Sequence, residues 1–370
     1  MGIRIIPYCT EHQPAVVAFN SRLDMARANT FRLNENAPDP ADSHAAGIRF
    51  EHFLAVDDEG EVHGGYFLRF QPLQVLDSVR LVGEYSAPLS EGVVDNRYAP
   101  VGPMMLAHAV KREPLLFASG MGGLGQPLPR IMKSLGWYLM EAPFWFLVLN
   151  GSRFLRNIGA LRKDPFMRAA ADFLAFTRLG GATIEIAQFL RRRQTRSARF
   201  TSEAITNFGP WAADVWEQSR GSYLFSAVRT PDYLTFNYPN TDASASIRLS
   251  RGGEPVGWIN LLECRPLNAS YFGQMKVTAL VDGVSRAEFV PDLIGCAVDA
   301  AKRDGADLLF SNQTHLDWNN ALKYAGFWRG PSNYLLGLSK GLARLLAPME
   351  ESAGRIHFNR GDGDGRVNLT

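Results

Sequence analysis

A glycine-rich segment in the first half of the chain has a spacing that can hold phosphate. Gly120 to Gly125 fits the pattern G-x-G-x-x-G and follows an apolar segment, Leu115 to Ala118, that predicts a strand. Such glycines bind a dinucleotide when a helix begins within them, because the first helical N–H groups then face the pyrophosphate. Here Pro127 and Pro129 delay the helix, and mixed antiparallel strands precede the motif. We therefore interpret the segment as a flexible loop rather than as a dinucleotide site.

Two further sets of side chains have the types needed for proton transfer. His315 and Asp317 follow a predicted strand and could form an acid–base pair. The same residues also suit the start of a helix with Asp317 as its N-cap, which we favour. Glu84 lies in a predicted strand between apolar residues, where desolvation raises the pKa of a carboxyl group toward values useful to a general base. The alternative for Glu84 is a solvated or ion-paired carboxylate.

These residues need a scaffold, and hydrophobic periodicity predicts a similar order of elements in both halves. In the first half we predict strands at 3–8, 53–56, 62–70, 79–86, 115–118 and 144–149, and helices at 14–28, 103–111 and 128–135. In the second half we predict strands at 247–249, 256–262, 275–281 and 308–310, and helices at 290–303 and 318–325. Several antiparallel strands precede one strand–helix–strand crossover. The predicted fold class is therefore α/β, with a mixed and mostly antiparallel sheet flanked by helices in each half.

A pair of short motifs occurs twice and indicates that one fold is used twice. Glu61 to Gly64 has a counterpart in Glu254 to Gly257, and Lys133 to Trp137 has one in Lys323 to Phe327. With 370 residues, 46% of them hydrophobic, the chain can build two domains that each have a core. We predict a first domain at 1–150, a basic helical linker at 151–200, a second domain at 201–345 and a flexible tail at 346–370.

Charge and cysteine content limit the classes of partner and compartment. The net charge is +2, which does not favour DNA binding by the chain as a whole. Cys9, Cys264 and Cys296 lie far apart without C-x-x-C spacing, which argues against a structural zinc site or a disulfide framework. The longest apolar run, 135–149, is interrupted by a glutamate and a proline and is too short to span a bilayer. We expect a cytoplasmic protein that does not span a membrane.

The linker and the tail contain residues that could bind ions. The basic residues of the linker are Arg153, Arg156, Arg162, Lys163, Arg168, Arg178, Arg191, Arg192, Arg193, Arg196 and Arg199. They could bind an anionic partner such as a nucleotide, a polyanionic glycan, a membrane surface or tRNA, but a solvated helical face is the interpretation we favour. In the tail, Asp362 and Asp364 have the spacing of calcium ligands. Arg366 stands where a third ligand is needed, so no metal is expected.

The order of elements and one loop resemble the GNAT superfamily of acyl-CoA-dependent N-acyltransferases. The hallmark of that family is Gln/Arg-x-x-Gly-x-Gly/Ala between the fourth strand and the third helix, and Arg97 to Gly102 stands in that place here. In the family, consecutive backbone N–H groups and the positive end of the helix dipole hold the cofactor's pyrophosphate. Pro100 replaces the first glycine and Pro103 follows the second, and neither proline has an N–H to donate.

The resemblance implies which residues would hold acyl-CoA. The cradle would consist of the backbone N–H groups of Tyr98, Ala99, Val101, Gly102 and Met104, with Arg97 as a charged donor. The backbone N–H around Val93 or Val94 would stabilise the oxyanion. In the second half, Asp282 to Ala287 stands in the corresponding place and lacks the pattern. Acyl-CoA is therefore expected on the first domain, with the acceptor on the side of the second.

The resemblance also implies the chemistry. In this family a neutral amine attacks the acyl-CoA carbonyl directly in a ternary complex, so a base must take a proton from the ammonium. That base commonly lies on or just after the fourth strand, where Glu84 and Glu91 stand, whereas Met132 occupies the place of the usual tyrosine acid. Tandem units with a helical connection are similar to the FemAB-type and bacterial polysaccharide-associated branches. These branches imply an acceptor amine on an amino sugar or a cell-envelope precursor.

Two other functions are compatible with the same residues. A FemAB-like aminoacyltransferase would use aminoacyl-tRNA, held at Arg191 to Arg193, and its affinity would fall steeply with salt. A non-catalytic binding or scaffold protein would account for Pro100, for Met132 and for the absence of a second cofactor loop. A measurement of acyl-CoA binding distinguishes the N-acyltransferase from these two alternatives.

Overall fold

The computed structural model describes residues 2–26, 31–38, 44–159, 167, 172, 174–176, 179–191, 200–264 and 272–366. The chain forms two compact units, and each is discontinuous in sequence. The first consists of Met1–Glu141 and Leu335–Met349, and the second of Ala142–Tyr334 and Glu350–Leu369. The predicted domain boundaries near 150 and 345 assume that each domain is one continuous segment, whereas each unit consists of two segments.

The helices and strands follow the predicted order closely. The strands are β1 (Arg4–Pro7), β2 (His44–Ala45), β3 (Ile48–Val56), β4 (Val62–Val75), β5 (Ser78–Ser90), β6 (Leu116–Gly120), β7 (Tyr138–Glu141), β8 (Phe144–Val148), β9 (Phe200–Ile205), β10 (Phe225–Ala227), β11 (Ser244–Arg251), β12 (Glu254–Cys264), β13 (Val277–Ser285), β14 (Leu308–Asn312), β15 (Trp328–Gly330) and β16 (Leu335–Leu338). The helices are α1 (Gln13–Met25), α2 (Val101–Arg112), α3 (Pro127–Ser134), α4 (Gly151–Asn157), α5 (Leu179–Arg191), α6 (Trp211–Ser219), α7 (Pro231–Asn237), α8 (Val290–Arg303), α9 (Leu316–Tyr324), α10 (Lys340–Leu345) and α11 (Met349–Ser352).

Helix α8 illustrates why the sequence forms these elements. A proline lies in its first turn together with Asp292, and Lys302 and Arg303 lie in its last turn. The proline fits the first turn because its missing N–H would have no helical partner there, and the charges complement the helix dipole. Its buried face contains Leu293 and Ile294, which belong to the core of the second unit. The predicted bounds of this helix agree with the structure.

Each unit is built on one mixed sheet. In the first unit the strand order is β1-β3-β4-β5-β6-β16-β7, with β2 beside β3, and only the β5–β6 pair of that order is parallel. In the second unit the order is β15-β8-β14-β13-β12-β11-β9, and only β13–β14 is parallel. The two orders correspond strand for strand, which is the internal similarity that the repeated motifs predict.

In each of these two strand orders, one strand comes from the other half of the sequence. β16 lies between β6 and β7 in the first unit, although it begins 194 residues after the end of β7. β8 lies between β14 and β15 in the second unit, although it directly follows β7 in sequence. Pro143 stands at the transition from β7 to β8, where a residue without an N–H cannot continue a ladder. Each half of the chain therefore contributes strands to both sheets.

The first unit packs apolar side chains on both faces of its sheet. Helices α2 and α3 cover one face, with Tyr66, Tyr85 and Leu106 in that core. Helix α1 covers part of the other face, where Phe19 packs with Leu54. Alternate residues of each strand point to opposite faces, so β3 and β4 contribute to both cores.

The C-terminal segment up to Arg366 is not the flexible tail that the sequence suggested. Phe358 and Asp362 are buried, with 1% and 3% of their surface exposed. Thr314 N–H donates to the Phe358 carbonyl oxygen at 3.1 Å, and the buried guanidinium of Arg229 donates to Asp362 at 3.1 Å. Buried apolar and paired polar groups hold the segment against the second unit. Residues 367–370 lie outside the described residues.

Much of the predicted basic linker lies outside the described residues. These positions include Arg162, Lys163, Arg168, Arg178, Arg192, Arg193, Arg196 and Arg199. The described part contains α4 and α5, and Arg153 forms an ion pair with the buried Asp307 at 3.3 Å. Among the helices that the structure describes, none has the length and apolar composition needed to cross a bilayer.

Candidate active site

Strands β5 and β6 of the first unit separate after a short stretch of pairing. Among the described residues their parallel ladder consists of Gly83 with Leu116 and Glu84 with Phe117. From there β6 pairs with β16, whereas β5 continues to Ser90 beside β4. The edge of β5 that faces the gap therefore has backbone groups without a strand partner in the described part of the chain. Such an edge can bind an extended molecule.

A bulge lies in the part of β5 that borders the gap. Ala87 and Pro88 stand opposite a single residue of β4, Tyr66. Ala87 has φ of 46°, in the left-handed region that non-glycine residues rarely adopt. We predicted a strand that ends at Ser86 and so missed the bulge. Pro88 was the available signal, because proline inside a sheet is confined to edges and bulges.

Helix α2 begins beside the end of β5. Gly64 of β4 is paired with Ser90, and a Cβ atom at Gly64 would lie 3.0 Å from Val101 Cγ1 and 2.7 Å from the Leu89 carbonyl oxygen. The absence of a side chain at Gly64 therefore allows the first turn of α2 to pack directly on the sheet. The helix N-terminus and the open edge of β5 are neighbours.

The first turn of α2 provides fewer N–H donors than the resemblance implies. Three of the five predicted donors are already bonded: Tyr98 N–H to Asp95 O at 3.0 Å, Ala99 N–H to Asn96 O at 3.1 Å and Met104 N–H to Pro100 O at 3.0 Å. Within the described residues, Val101 N–H and Gly102 N–H have no acceptor. These two groups and the positive end of the helix dipole can bind an anion.

Glu91 anchors the loop that precedes α2. Its carboxylate accepts from Arg22 Nε at 2.7 Å and lies 2.7 Å from His63 Nδ1, while His63 Nε2 lies 2.9 Å from Asp57 Oδ2. The His63 ring stacks on Tyr98, with 3.9 Å between ring centroids. The network thus joins α1, β4 and the loop to one another.

The network keeps its carboxylates ionised. Burial opposes the charged form, but hydrogen bonds from Arg22 and His63 outweigh it and lower the pKa of Glu91. Burial likewise opposes ionisation of Asp57, yet hydrogen bonds from His63 and from backbone N–H groups lower its pKa. Because a carboxylate with a lowered pKa binds a proton weakly, this environment favours a positioning role for Glu91 over that of a general base.

Glu84 lies apart from this network, on β5. Its side chain is 2% exposed and accepts from Ser119 Oγ at 3.0 Å. Arg69 is its cross-strand neighbour on β4, so both side chains point to the same face of the sheet. The structure therefore does not bring the two predicted bases, Glu84 and Glu91, together.

The remaining predicted residues lie on the exposed side of the loop. Arg97 forms an ion pair with Asp95 at 2.6 Å, and its side chain is 79% exposed. Val93 and Val94 are exposed, and Val94 N–H donates to the Glu91 carbonyl oxygen at 2.9 Å. In this conformation the Val94 amide is not available to an oxyanion. Arg97 could turn toward an anion at the first turn of α2.

The corresponding gap in the second unit is occupied by the chain itself. β13 and β14 pair from Val277–Leu308 to Ala279–Phe310 and then separate. The C-terminal segment lies between them, because His357 Nε2 is 3.0 Å from the Gly283 carbonyl oxygen and Asn359 bridges to Gln313. In the described structure this gap has no room for an extended ligand.

A buried ionic network fixes the C-terminal segment. Arg229 is fully buried and donates to Asp282 at 2.9 Å and to Asp362 at 3.1 Å. Asp282 also accepts from Tyr238 Oη at 2.8 Å and from Asn359 Nδ2 at 2.9 Å. Burial and the neighbouring Asp282 raise the pKa of Asp362 to about 6, against the opposing effect of Arg229. Asp362 and Asp364 thus have cationic partners of the protein's own, since Asp364 pairs with Arg360.

Other sequence candidates have structural roles. His315, rather than Asp317, is the N-cap of α9, and its Nδ1 accepts from Asp317 N–H at 3.3 Å. The G-x-G-x-x-G segment is a loop between β6 and α3 in which Gly120, Gly122 and Gly123 have positive φ, so no helix begins within it.

One titratable residue near the bulge had no part in the sequence-based predictions. His52 on β3 stands opposite Phe67 of β4, and the two rings stack with centroids 5.3 Å apart. Burial lowers the pKa of His52. His52 and Ala87 both line a pocket of about 200 Å³. Its position was not evident from the sequence because His52 lies 35 residues before Ala87 of the bulge.

No protein-family model and no curated protein sequence matches the chain. Among solved structures it is similar to a GCN5-related N-acetyltransferase from Anabaena variabilis, with 10% identity, 90% of this chain and 72% of that chain covered, and a TM-score of 0.52. It is also similar to a conserved protein of unknown function from Enterococcus faecalis, described as a probable N-acyltransferase, with 7% identity, 94% and 75% covered, and a TM-score of 0.53. A tandem GNAT protein from the clavulanic acid biosynthesis pathway has 14% identity, 92% and 99% covered, and a TM-score of 0.49.

At such identities a similarity concerns the fold. The two similar structures with TM-scores above 0.5 support the same kind of fold that the strand orders indicate. The chain therefore has a GNAT-like fold with two mixed sheets flanked by helices, and the predicted fold class is confirmed.

Proposed function

We propose that this protein transfers an acyl group from acyl-CoA to an amine, and that its first unit binds acyl-CoA. One observation carries the proposal: the gap between β5 and β6 ends at a helix N-terminus with two N–H groups free to bind an anion. The pyrophosphate would bind Val101 N–H and Gly102 N–H, with the exposed Arg97 as a charged donor. The pantetheine arm would lie along the open edge of β5.

The filled gap in the second unit supports the proposal of a single acyl-CoA site per chain. Its corresponding gap between β13 and β14 is filled by residues 357–361, and Asp362 is tied to Arg229 there. An extended cofactor would have to displace a buried ionic network, which is costly because each charge would lose its partner. The second unit is therefore not a candidate for a second acyl-CoA site.

The reaction needs a neutral amine, an oxyanion donor and a base. Glu84 and Glu91 are the bases that the resemblance implies, but Glu91 is engaged by Arg22 and His63 and Glu84 by Ser119. We assign Glu91 to holding the cofactor loop. For the acceptor, the resemblance implies an amino sugar or a cell-envelope precursor, with direct attack in a ternary complex and no metal.

Titration calorimetry with acetyl-CoA and desulfo-CoA tests the proposal. A Cβ atom at Gly102 would meet only Ile131 Cδ1, at 3.8 Å, so the fold tolerates a side chain there. Gly102→Glu places a negative charge at the anion site, and we expect at least a tenfold loss of affinity, about 1.4 kcal/mol or more. Gly102→Ala is the matched control and should bind like the wild type.

Each outcome separates the candidate functions. Binding by wild type and Gly102→Ala but not by Gly102→Glu supports acyl-CoA at the first unit. Absence of binding to the wild type contradicts the proposal. In that case aminoacyl-tRNA becomes the next ligand to measure, over a range of salt concentrations, because a tRNA complex weakens steeply as salt rises. If neither ligand binds, the scaffold hypothesis gains support.

A further inference from the structure

The first unit contains an apolar pocket beside the bulge of β5. Its volume is about 200 Å³, and Leu33, Phe53, Leu54 and Phe67 form much of its wall, with Ala87 at the bulge. Phe53 belongs to the core under α2, whereas Leu54 belongs to the core under α1. The lining therefore includes residues from both cores of this unit.

His52 is the basic group available in this wall. No hydrogen bond to its ring is found among the described residues, and its stacking on Phe67 leaves the ring nitrogens at the ring edge. Burial lowers the pKa of His52, so the ring is neutral near pH 7 and can accept a proton.

The other titratable groups of the pocket are engaged elsewhere. Tyr8 Oη donates to the carbonyl oxygens of Asn34 and Glu35 at 3.0 and 2.9 Å, and burial raises its pKa. Tyr66 Oη is 2.6 Å from His108 Nδ1, and burial raises the pKa of Tyr66 strongly.

Arg32, which also lines the pocket, and the nearby Glu35 both have partners. Arg32 forms an ion pair with Asp24 at 2.9 Å, and Glu35 accepts from Asn20 Nδ2 at 3.2 Å. On the same face of the sheet, Glu84 lies one row further along and is bonded to Ser119. His52 is therefore the titratable group of this pocket that has no hydrogen bond or ion pair among the described residues, and burial lowers its pKa.

The pocket is correctly placed for the reacting end of acyl-CoA. Ala87 lies three residues from Ser90 along β5, or roughly 10 Å at 3.4 Å per residue. Ser90 pairs with Gly64, which contacts the first turn of α2. Acyl-CoA carries its thioester on the pantetheine arm, well away from the pyrophosphate. A pyrophosphate at α2 and an arm along β5 would bring the thioester to the bulge.

We propose that this pocket binds the amine-bearing end of the acceptor, a primary amine on a compact apolar group, and that His52 accepts its proton. The inference rests on the acyl transfer proposed above, and it replaces the amino-sugar acceptor that the resemblance implies with an apolar amine. An amino sugar would leave its hydroxyl groups unpaired against Leu33, Leu54 and Phe67, which costs free energy for each group. The hydrocarbon part of an aliphatic or aromatic amine has no hydrogen bonds to lose in the same surroundings.

The proton and electron balance of the step is simple. His52 takes one proton from the ammonium, and the freed nitrogen lone pair attacks the thioester carbonyl carbon. A C–N bond forms, the C–S bond breaks, and the thiolate leaves. A second proton of the former amine converts the thiolate to the thiol, and His52 returns its own proton to water. No redox co-reactant is needed.

An NMR titration tests the pocket without requiring turnover. The protein is labelled at histidine Cε1, and the His52 resonance is assigned by its loss in His52→Gln. We expect saturable shifts of this resonance with phenethylamine and none with glucosamine, in the absence of acyl-CoA. His12→Gln, in the same unit and outside the pocket, is the control and should respond like the wild type. Absence of a saturable response to phenethylamine overturns the pocket, whether or not acyl-CoA binds.

Kinetics with acetyl-CoA and phenethylamine test the role of the imidazole. The wild-type rate should rise with pH through a midpoint below 6.5, since the neutral ring is the active form. His52→Gln should lower kcat by about 10²-fold to 10⁴-fold and abolish that rise. An unchanged pH profile in His52→Gln, with acyl-CoA binding intact, overturns the assignment of His52 and leaves the proposed function standing.

A variant of the pocket shows whether the pocket holds the amine end of the acceptor or the acyl group of acyl-CoA. Leu33→Ala enlarges the pocket at a loop residue, and we expect its preference to shift toward amines two or three carbons longer. The preference among acyl-CoA chain lengths should not change. A change in acyl-chain preference without a change in amine preference would show that the pocket holds the acyl group and would overturn the inference.

Discussion

At the scale of single residues, the surroundings decide what a carboxylate can do. Glu84 and Glu91 are both buried glutamates near the end of β5, and the sequence treats them alike. Glu91 is held between Arg22 and His63, so its pKa is lowered and its function is to fix the loop before α2. His52, which the sequence did not single out, lines the pocket at the bulge, and its ring has no hydrogen bond among the described residues, so its position suits a base.

Replacement of Glu91 tests this anchoring role. Glu91→Gln keeps the shape but loses the charge that Arg22 and His63 pair with, so we expect a loss of about 2 kcal/mol of unfolding free energy at pH 7. Urea unfolding measures it, with the exposed Glu59→Gln as control. A Glu91→Gln protein as stable as Glu59→Gln at pH 7 would contradict the anchor.

The difference between Glu91→Gln and wild type should depend on pH in a defined direction. The folded pKa of Glu91 lies below its unfolded value, so its stabilising effect is complete above about pH 4 and is lost as the pH falls further. The two proteins should therefore converge in stability at strongly acidic pH.

At the scale of elements, the two units differ in what occupies the gap between their parallel strands. Both sheets have one parallel pair that separates after two or three residue pairs. In the first unit the separated edge of β5 lacks a strand partner among the described residues, whereas in the second the C-terminal segment fills the gap. The end of β13 from Asp282 onward and the segment at 357–361 together occupy the corresponding place.

The stability of that C-terminal segment should depend on the charge of Asp362. Its folded pKa is raised to about 6, so its contribution is complete below the unfolded value of about 4 and is lost as the pH rises through 6. Relative to Asp362→Asn, which cannot ionise, the wild type should lose stability between about pH 4 and pH 6. Difference measurements by urea unfolding at several pH values check this.

Asp364→Asn is the control for the Asp362 measurement. Asp364 pairs with Arg360 and its side chain is 55% exposed, so its replacement should leave the pH dependence close to that of the wild type. A constant difference between wild type and Asp362→Asn across this range would mean that Asp362 is already ionised when buried.

At the scale of the whole molecule, the exchange of β8 and β16 links the folding of the two halves. Neither half of the sequence contains all strands of one sheet. A sheet without its internal strand has two unpaired edges and an interrupted core, which costs many backbone hydrogen bonds. The protein should therefore unfold as one cooperative system despite its two units.

Fragments test this dependence directly. A chain of residues 1–150 lacks β16, so we expect no cooperative thermal transition and weak near-UV circular dichroism. Residues 1–141 joined to 335–349 through an Asn-Gly turn should fold, because β7 and β16 are antiparallel neighbours with Glu141 opposite Leu335. A fully cooperative 1–150 fragment would show that β16 is dispensable.

The sequence by itself determined the order of elements, the fold class and the duplication. Hydrophobic periodicity, the turns at Gly60 and Gly252 and the prolines at helix starts are local signals, and each acts over a few residues. The loop from Arg97 to Gly102 could also be found, because its place before α2 follows from the same order.

Only the tertiary structure decided which strands share a sheet and which side chains meet. β8 and β16 are short apolar strands that would suit either sheet, and the choice depends on contacts between residues far apart in sequence. The network of Glu91 with Arg22 and His63, the burial of Asp362 and the pocket at His52 likewise depend on long-range packing. Burial and pairing set the pKa values of these groups, and the sequence contains no local signal for either.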